Sequence, residues 1–147
     1  MSPYRQDPDV ILIDYYNGAY GPTVRFDIQD SKALRKLRQV FRMLASQPGT
    51  ELDLVQMREV ESANVRRFIL ASLAGEPEPQ KTLRSEVDTT QNVVAFRWTR
   101  SQDGWEECVG LVDGLSDGPG HQYLTIEGVD DALVELAFME DDIIHTP

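Results

Sequence analysis

The residue types that could support nucleophilic catalysis are few: one cysteine, Cys108, and two histidines, His121 and His145. A nucleophilic thiol needs a base within hydrogen-bond reach and an electropositive setting that lowers its pKa. The neighbouring Glu106 and Glu107 act in the opposite direction, because nearby negative charge disfavours a thiolate. The pattern therefore favours a small structural cysteine in a strand over a catalytic one.

Metal binding is a second chemistry that the sequence allows. His121 follows a Gly-Pro-Gly turn, and Asp113 and Asp117 lie just before that turn. Imidazole and carboxylate groups are ligands of divalent metals, so these three residues form a secondary hypothesis for a metal-dependent enzyme or small-ligand binder. Their spacing matches no calcium loop, and the glycines match no phosphate-binding or dinucleotide motif. No cofactor is predicted, and no catalytic residue is assigned.

The elements that would position these residues begin with a hairpin and a helix. Segments 10–16 and 23–28 have the composition of strands, and Asn-Gly and Gly-Pro between them supply turn chemistry. Over 31–47, apolar residues at three- and four-residue spacing predict an amphipathic helix, with a basic opposite arc. Asp30 or Ser31 can cap this helix, and Pro48-Gly49 ends it.

Beyond residue 50 the hydrophobic period shifts to two, which indicates strands. The predicted strands after this point include 65–73, 81–88, 93–100, 105–112, 121–127 and 131–139. The last is ambiguous between strand and helix, and its alternating apolar residues favour a strand. The sequence thus predicts an α+β fold, in which one amphipathic helix packs on a mainly antiparallel twisted sheet of eight or nine strands. Residues 1–147 are expected to form a single domain with a mobile acidic tail over 140–147.

One predicted hairpin has a register that follows from its turn. If Asp103-Gly104 is a two-residue turn, Trp98 faces Val109 and Arg100 faces Glu107. This register places large apolar pairs on one face and creates an opposite-charge pair. A one-residue slip would exchange the two faces, so the agreement favours this register.

The charge is distributed very unevenly along the chain. The net charge is −11, and Arg100 is the last lysine or arginine. Residues 1–100 hold 14 basic and 13 acidic residues, whereas the remaining residues hold twelve acids. An acidic surface formed by these residues would repel nucleic acid and speed encounter with a basic protein. The alternative is a solvated acidic surface, or one that faces the basic helix of the same chain.

The leading functional hypothesis is a non-catalytic protein-binding module that uses its acidic C-terminal third. A concrete version is an inhibitor or immunity-type partner of a basic protein such as a nuclease toxin. Tyrosines near the first turn would serve as anchors, because they combine large area with a polar end. The predicted partner-binding residues are Tyr16, Tyr20, Glu106, Asp113, Asp117, Asp130, Asp131 and Glu140.

Two further expectations concern assembly and location. A structural homodimer is an alternative, in which the basic helix of one copy meets the acidic edge of another. No apolar run approaches the ~20 residues that span a bilayer, and the sequence begins without a basic-then-apolar leader. The lone cysteine fits a reducing compartment. The sequence therefore predicts a cytoplasmic protein that binds no membrane.

Overall fold

The fold was analysed on a computed structural model that describes residues 10–88 and 93–140. His145 and the predicted mobile tail, apart from Glu140, lie outside these residues. Within the described ranges, neither helix is long and apolar enough to cross a membrane.

Nine strands and two helices form the described part of the chain. In chain order, they are β1 (Ile11–Gly18), β2 (Gly21–Ile28), α1 (Ser31–Ser46), β3 (Glu51–Asp53), β4 (Val60–Ser62), β5 (Val65–Ser72), β6 (Leu83–Asp88), β7 (Val93–Arg100), α2 (Gln102–Asp113), β8 (Gly120–Tyr123) and β9 (Leu133–Phe138). The first hairpin, the first helix and the strand at 131–139 are confirmed, and the class is α+β.

The strands form two sheets, and this corrects the expectation of one mainly antiparallel sheet. Sheet A has the order β4-β1-β2-β9-β8, and sheet B has the order β3-β5-β7-β6. Both are mixed, because β1–β4, β2–β9 and β5–β7 pair in parallel. Parallel neighbours come from distant parts of the chain, so the local patterns that predict hairpins do not reveal them.

The two halves of the chain follow the same order of elements. Each half forms a hairpin in one sheet, continues through a helix, and then adds a second antiparallel strand pair to the other sheet. In the first half the pairs are β1–β2 and β3–β5, and in the second they are β6–β7 and β8–β9. The parallel pairs β2–β9 and β5–β7 join the halves at the centre of each sheet.

The segment predicted as a strand at 105–112 is the helix α2. Ser101 caps it by accepting a hydrogen bond from the Gly104 amide, and Asp103 lies in its first turn, where negative charge is favourable. Its buried residues have helical spacing, which the turn-like Asp-Gly pair obscured. The proposed pairing of Trp98 with Val109 is therefore wrong. The buried residues are Gly104, Trp105, Cys108, Val109 and Val112.

An aromatic cluster connects the two sheets and the two helices. Phe26 of sheet A contacts Phe68 of sheet B edge-on, with ring centroids 5.3 Å apart. On the helix side, Phe41 of α1 stacks on Trp105 of α2 at 5.7 Å, and Trp105 lies 4.9 Å from Trp98. The Trp105 indole N–H donates to the Ala71 carbonyl at 3.1 Å, so this buried polar group is satisfied.

Candidate functional site

The two faces of sheet A differ sharply in chemistry. One face carries the alternate apolar residues of β1, β2 and β9, such as Phe26 and Leu136, which belong to the core. The opposite face carries polar residues, because register places Arg25 beside Glu135, and Glu135 beside Tyr123. We call this surface the polar face. Its members include Tyr16, Tyr20, Arg25, His121, Tyr123, Glu135 and Glu140, and the register places Asp14 and Asp27 on the same side of the sheet as Arg25.

The base of the polar face is a buried charge pair. Arg25 is 2% exposed and Glu135 is 8% exposed, and Arg25 Nη1 lies 3.9 Å from Glu135 Oε1. The Tyr16 hydroxyl donates to the same carboxylate oxygen at 3.1 Å. Burying an ion pair removes both groups from water, a cost that often offsets their mutual attraction. The Arg25–Glu135 pair is therefore weak evidence for a stabilising role, and a role of the polar face in binding is considered below.

The rim of the polar face is aromatic. Tyr20, in the turn between β1 and β2, is 60% exposed, and Tyr123 is 40% exposed. Their rings meet edge-to-face with centroids 6.3 Å apart, and the ring of His121 lies 5.5 Å from that of Tyr123. Exposed tyrosines held by neighbouring rings offer a contact surface whose ordering cost is low.

At one end of the polar face, a histidine meets two carboxylates. His121 Nδ1 lies 3.0 Å from Glu140 Oε2. One ligand atom from each of His121, Glu135 and Glu140 can be chosen so that all three lie within 4.8 Å of one another. Met139, just before Glu140, has a φ of 55°, in the left-handed region, and the Gln29 side-chain amide donates to the Glu140 carbonyl. The cluster is thus built from β8, β9 and the residues after β9.

The pKa values of the neighbouring tyrosines are raised by burial and by the charge of these carboxylates. Burial raises the pKa of Tyr16 to about 12, and the negative charge of Glu135 adds to the shift. Burial also raises the pKa of Tyr123, again with a contribution from Glu135 and a smaller one from Glu140. Both hydroxyls therefore remain protonated at neutral pH, as hydrogen-bond donors beside anionic groups.

Comparison with known proteins returned no match. No protein-family model, no curated protein and no solved structure is significantly similar to this chain. The functional proposal consequently depends on the geometry of the polar face and on where the structure places the predicted partner-binding residues.

The predicted partner-binding residues divide among several places in the fold. Tyr16, Tyr20 and Glu140 lie on the polar face together with His121. Asp117 is exposed in the turn after α2. The remaining acids are engaged elsewhere, so the structure does not gather all of the predicted residues into one surface.

Glu106 and Asp113 lie on α2, where they face the basic arc of α1. Arg38 holds Asp113 through two hydrogen bonds, of 2.6 and 3.2 Å, and Arg42 contacts Glu106 at 3.1 Å. The hydrogen bond from Arg38 lowers the pKa of Asp113 below its usual value. Two arginines of the basic helix are thus paired with acids of the same chain. Asp113 contacts Arg38, whereas the carboxylates that gather around His121 belong to other residues.

Asp130 and Asp131 hold strand β6 in place. Asp130 accepts hydrogen bonds from the backbone amides of Thr82, Leu83 and Ile126. Asp131 accepts from Lys81 Nζ at 2.6 Å and from the Ser85 amide at 2.8 Å. The Lys81 hydrogen bond lowers the pKa of Asp131. These two acids serve the fold.

Cys108 has the structural environment that the sequence favours, but in a helix rather than a strand. Its side chain is fully buried, and burial raises the pKa of the thiol to about 12. Arg100 Nη1 lies 3.7 Å from the sulfur and lowers the pKa by less than burial raises it. Because the thiolate is the nucleophile, this thiol is unreactive at neutral pH.

Arg25, Tyr123 and Glu135 are members of the polar face that sequence reasoning missed. Arg25 and Glu135 occupy the alternate positions of their strands that face away from the core, where polar residues are ordinary, so no signal in the sequence indicated that they would be buried. Their proximity depends on the parallel pairing of β2 with β9 across more than a hundred residues. No local pattern encodes that pairing.

Proposed function

We propose that the chain is a non-catalytic protein-binding module whose polar face takes cationic side chains of a basic partner. The observation that carries the proposal is the exposed Tyr20–Tyr123 ring pair beside the carboxylates of Glu135 and Glu140. Tyrosine rings attract lysine and arginine through cation–π contacts, and carboxylates accept their N–H groups. Together they form the chemistry of an interface anchor for a cation.

Long-range charge supports the same partner class. The net charge of −11 steers a basic protein toward the chain before contact, and the effect weakens as salt increases. Five acids that follow Arg100 form ion pairs with lysine or arginine of the described residues. They are Glu106, Glu107, Asp113, Asp131 and Glu135. Of these five acids only Glu135 belongs to the polar face, where the exposed rings of Tyr20 and Tyr123 add a contact surface. The binding surface is therefore proposed there, and the rest of the acidic third contributes mainly to the overall field.

A finer form of this proposal is an inhibitor or immunity-type protein that neutralises a basic enzyme such as a nuclease toxin. A nuclease holds cations along the path of its phosphate substrate, and an anionic face with tyrosine anchors would occupy that path. The unreactive Cys108 thiol supports a binding role over thiol catalysis.

The first step of the test identifies the partner. Tagged protein is incubated with lysate of the source cells at low salt, eluted at high salt, and the eluate is identified by mass spectrometry. The captured basic protein is then purified, and its affinity is measured by calorimetry. We expect the affinity to fall steeply with ionic strength.

The second step uses matched variants. The double variant Tyr20→Ala/Tyr123→Ala removes the anchors, and we expect it to bind the purified partner at least about thirtyfold more weakly, as for truncated hot spots. Glu106→Gln at the helix pair is the control and should change the affinity by less than about threefold. Equal binding by the tyrosine variant, or binding that is insensitive to salt, would overturn the proposal.

A further inference from the structure

At the end of the polar face, three side chains that can bind a metal ion lie close together. His121 offers a ring nitrogen, and Glu135 and Glu140 each offer a carboxylate oxygen, all within 4.8 Å of one another. Ligands of a tetrahedral metal ion at ~2.0–2.2 Å lie roughly 3.4 Å apart. The contact of 3.0 Å from His121 to Glu140 and the 4.8 Å limit bracket that spacing. Small rotamer changes would therefore bring the three groups around one ion.

Contacts from residues outside the cluster hold the carboxylate of Glu135 and the backbone of Glu140, unlike acids on a solvated surface. Among the described residues, Tyr16 and Arg25 both approach Glu135 at the same oxygen, Oε1. The Glu140 backbone is fixed by Gln29, and the Glu140 side chain is 15% exposed. Such outer partners orient the ligands of metal sites and tune their affinity.

The local charge also favours a cation. The Glu135 and Glu140 side chains are 11% and 15% exposed, so water screens their repulsion weakly. Arg25 offsets one negative charge through its contact with Glu135. A divalent ion that contacts both carboxylates would interact with each of them at short range.

We propose that His121, Glu135 and Glu140 form a binding site for a divalent transition-metal ion. One imidazole with two carboxylates suits Zn²⁺ first, and Mn²⁺ second, among common ions. His121 is the most exposed of the three ligands, so a remaining coordination position opens toward solvent beside Tyr123. The proposal concerns the isolated chain and requires no partner. A bound ion would occupy the same Glu135 and Glu140 carboxylates that the proposed function offers to a cationic side chain, so partner binding is measured in metal-free buffer.

The test titrates Zn²⁺, and separately Mn²⁺ and Ca²⁺, into the purified full chain by calorimetry, with thermal unfolding in parallel. We expect a one-to-one Zn²⁺ isotherm in the micromolar range, a higher melting temperature with Zn²⁺, and weaker binding of Ca²⁺. The His121→Ala and Glu140→Gln variants should each weaken Zn²⁺ binding by about tenfold or more. The control variant Glu127→Gln removes an exposed acid outside the cluster and should bind Zn²⁺ as the parent does.

A spectroscopic readout separates coordination from nonspecific adsorption. In ¹⁵N-histidine-labelled protein, Zn²⁺ should shift one ring nitrogen of His121 at a stoichiometry of one ion. No isotherm with the parent chain, or an isotherm that His121→Ala leaves unchanged, would overturn the site. Because partner capture is measured with the Tyr20→Ala/Tyr123→Ala variant, the two proposals can fail separately.

Discussion

Two pairs of acids lie within eleven residues of one another, Asp130 with Asp131 and Glu135 with Glu140. The aspartates bind backbone amides and a lysine around strand β6. The glutamates contact a buried arginine, a tyrosine hydroxyl and a histidine on the polar face. Backbone amides and a lysine side chain bind the first pair, whereas side chains contact the carboxylates of the second pair. The comparison teaches that acid count alone does not locate function.

The largest effect should come from breaking the buried pair of the polar face. Arg25→Met leaves Glu135 charged and buried, so we expect a loss of about 4 kcal/mol in the free energy of unfolding, measured by urea denaturation. In the double variant Arg25→Met/Glu135→Leu both charges are gone, and most of this loss should be recovered. If the double variant is as unstable as the single variant, the ion pair itself contributes net stability to the fold.

Asp130→Ala should destabilise the protein by about 3 kcal/mol, because it deprives the amides of Thr82, Leu83 and Ile126 of their acceptor. Urea denaturation measures this change. Zn²⁺ binding, followed by calorimetry at a temperature where the variant is folded, should remain that of the parent. Weakened Zn²⁺ binding by the folded variant would contradict the separation of the two acid pairs.

Asp131→Asn should cost about 1.5 kcal/mol at neutral pH and change the response to acid. Because the pKa of Asp131 is lowered in the folded protein, its contribution is present above the ordinary value of 3.8 and is lost as the pH falls through the lowered value. Unfolding followed between pH 7 and 3 should therefore show a steeper decline for the parent than for the variant. Parallel pH profiles would refute this role.

Arg38→Ala at the helix pair should have the smallest effect, below about 1 kcal/mol, because Arg38 and Asp113 are 37% and 50% exposed. Thermal unfolding at low and high salt measures it, and the difference from the parent should shrink as salt increases. A cost comparable to that of Asp130→Ala would mean that the helix pair depends on its charges.

Local signals predicted the first half of the fold better than the second. The Asn-Gly and Gly-Pro turn and the apolar stripe of α1 are encoded within short windows, and both elements formed as expected. Asp103-Gly104 resembles a hairpin turn, but Ser101 uses that segment as a helix cap, and the spacing of Trp105, Cys108 and Val109 is helical. Turn chemistry and cap chemistry share residue types, so only the spacing could decide.

The candidate site was predictable in part. Tyr16, Tyr20, His121 and Glu140 were singled out for their chemistry, and they do meet on one surface. The surface itself depends on the pairing of β2 with β9, which no short window contains. Asp113 and Asp117 were grouped with His121 because they are near it in sequence, whereas the carboxylates within reach of its ring come from β9 and beyond.

Each sheet combines strands from both halves of the chain, and this affects how the chain folds. Thr23 must find Leu133, and Val65 must find Val94, before either sheet is complete at its centre. Closing such long loops costs entropy before any contact compensates it, which slows the search. A fragment that ended in the 75–79 loop would keep the β1–β2 hairpin and the β3–β5 pair, but β2 and β5 would lack their neighbours β9 and β7. The centre of sheet B is therefore incomplete until β7 is present, and the centre of sheet A until β9 is present.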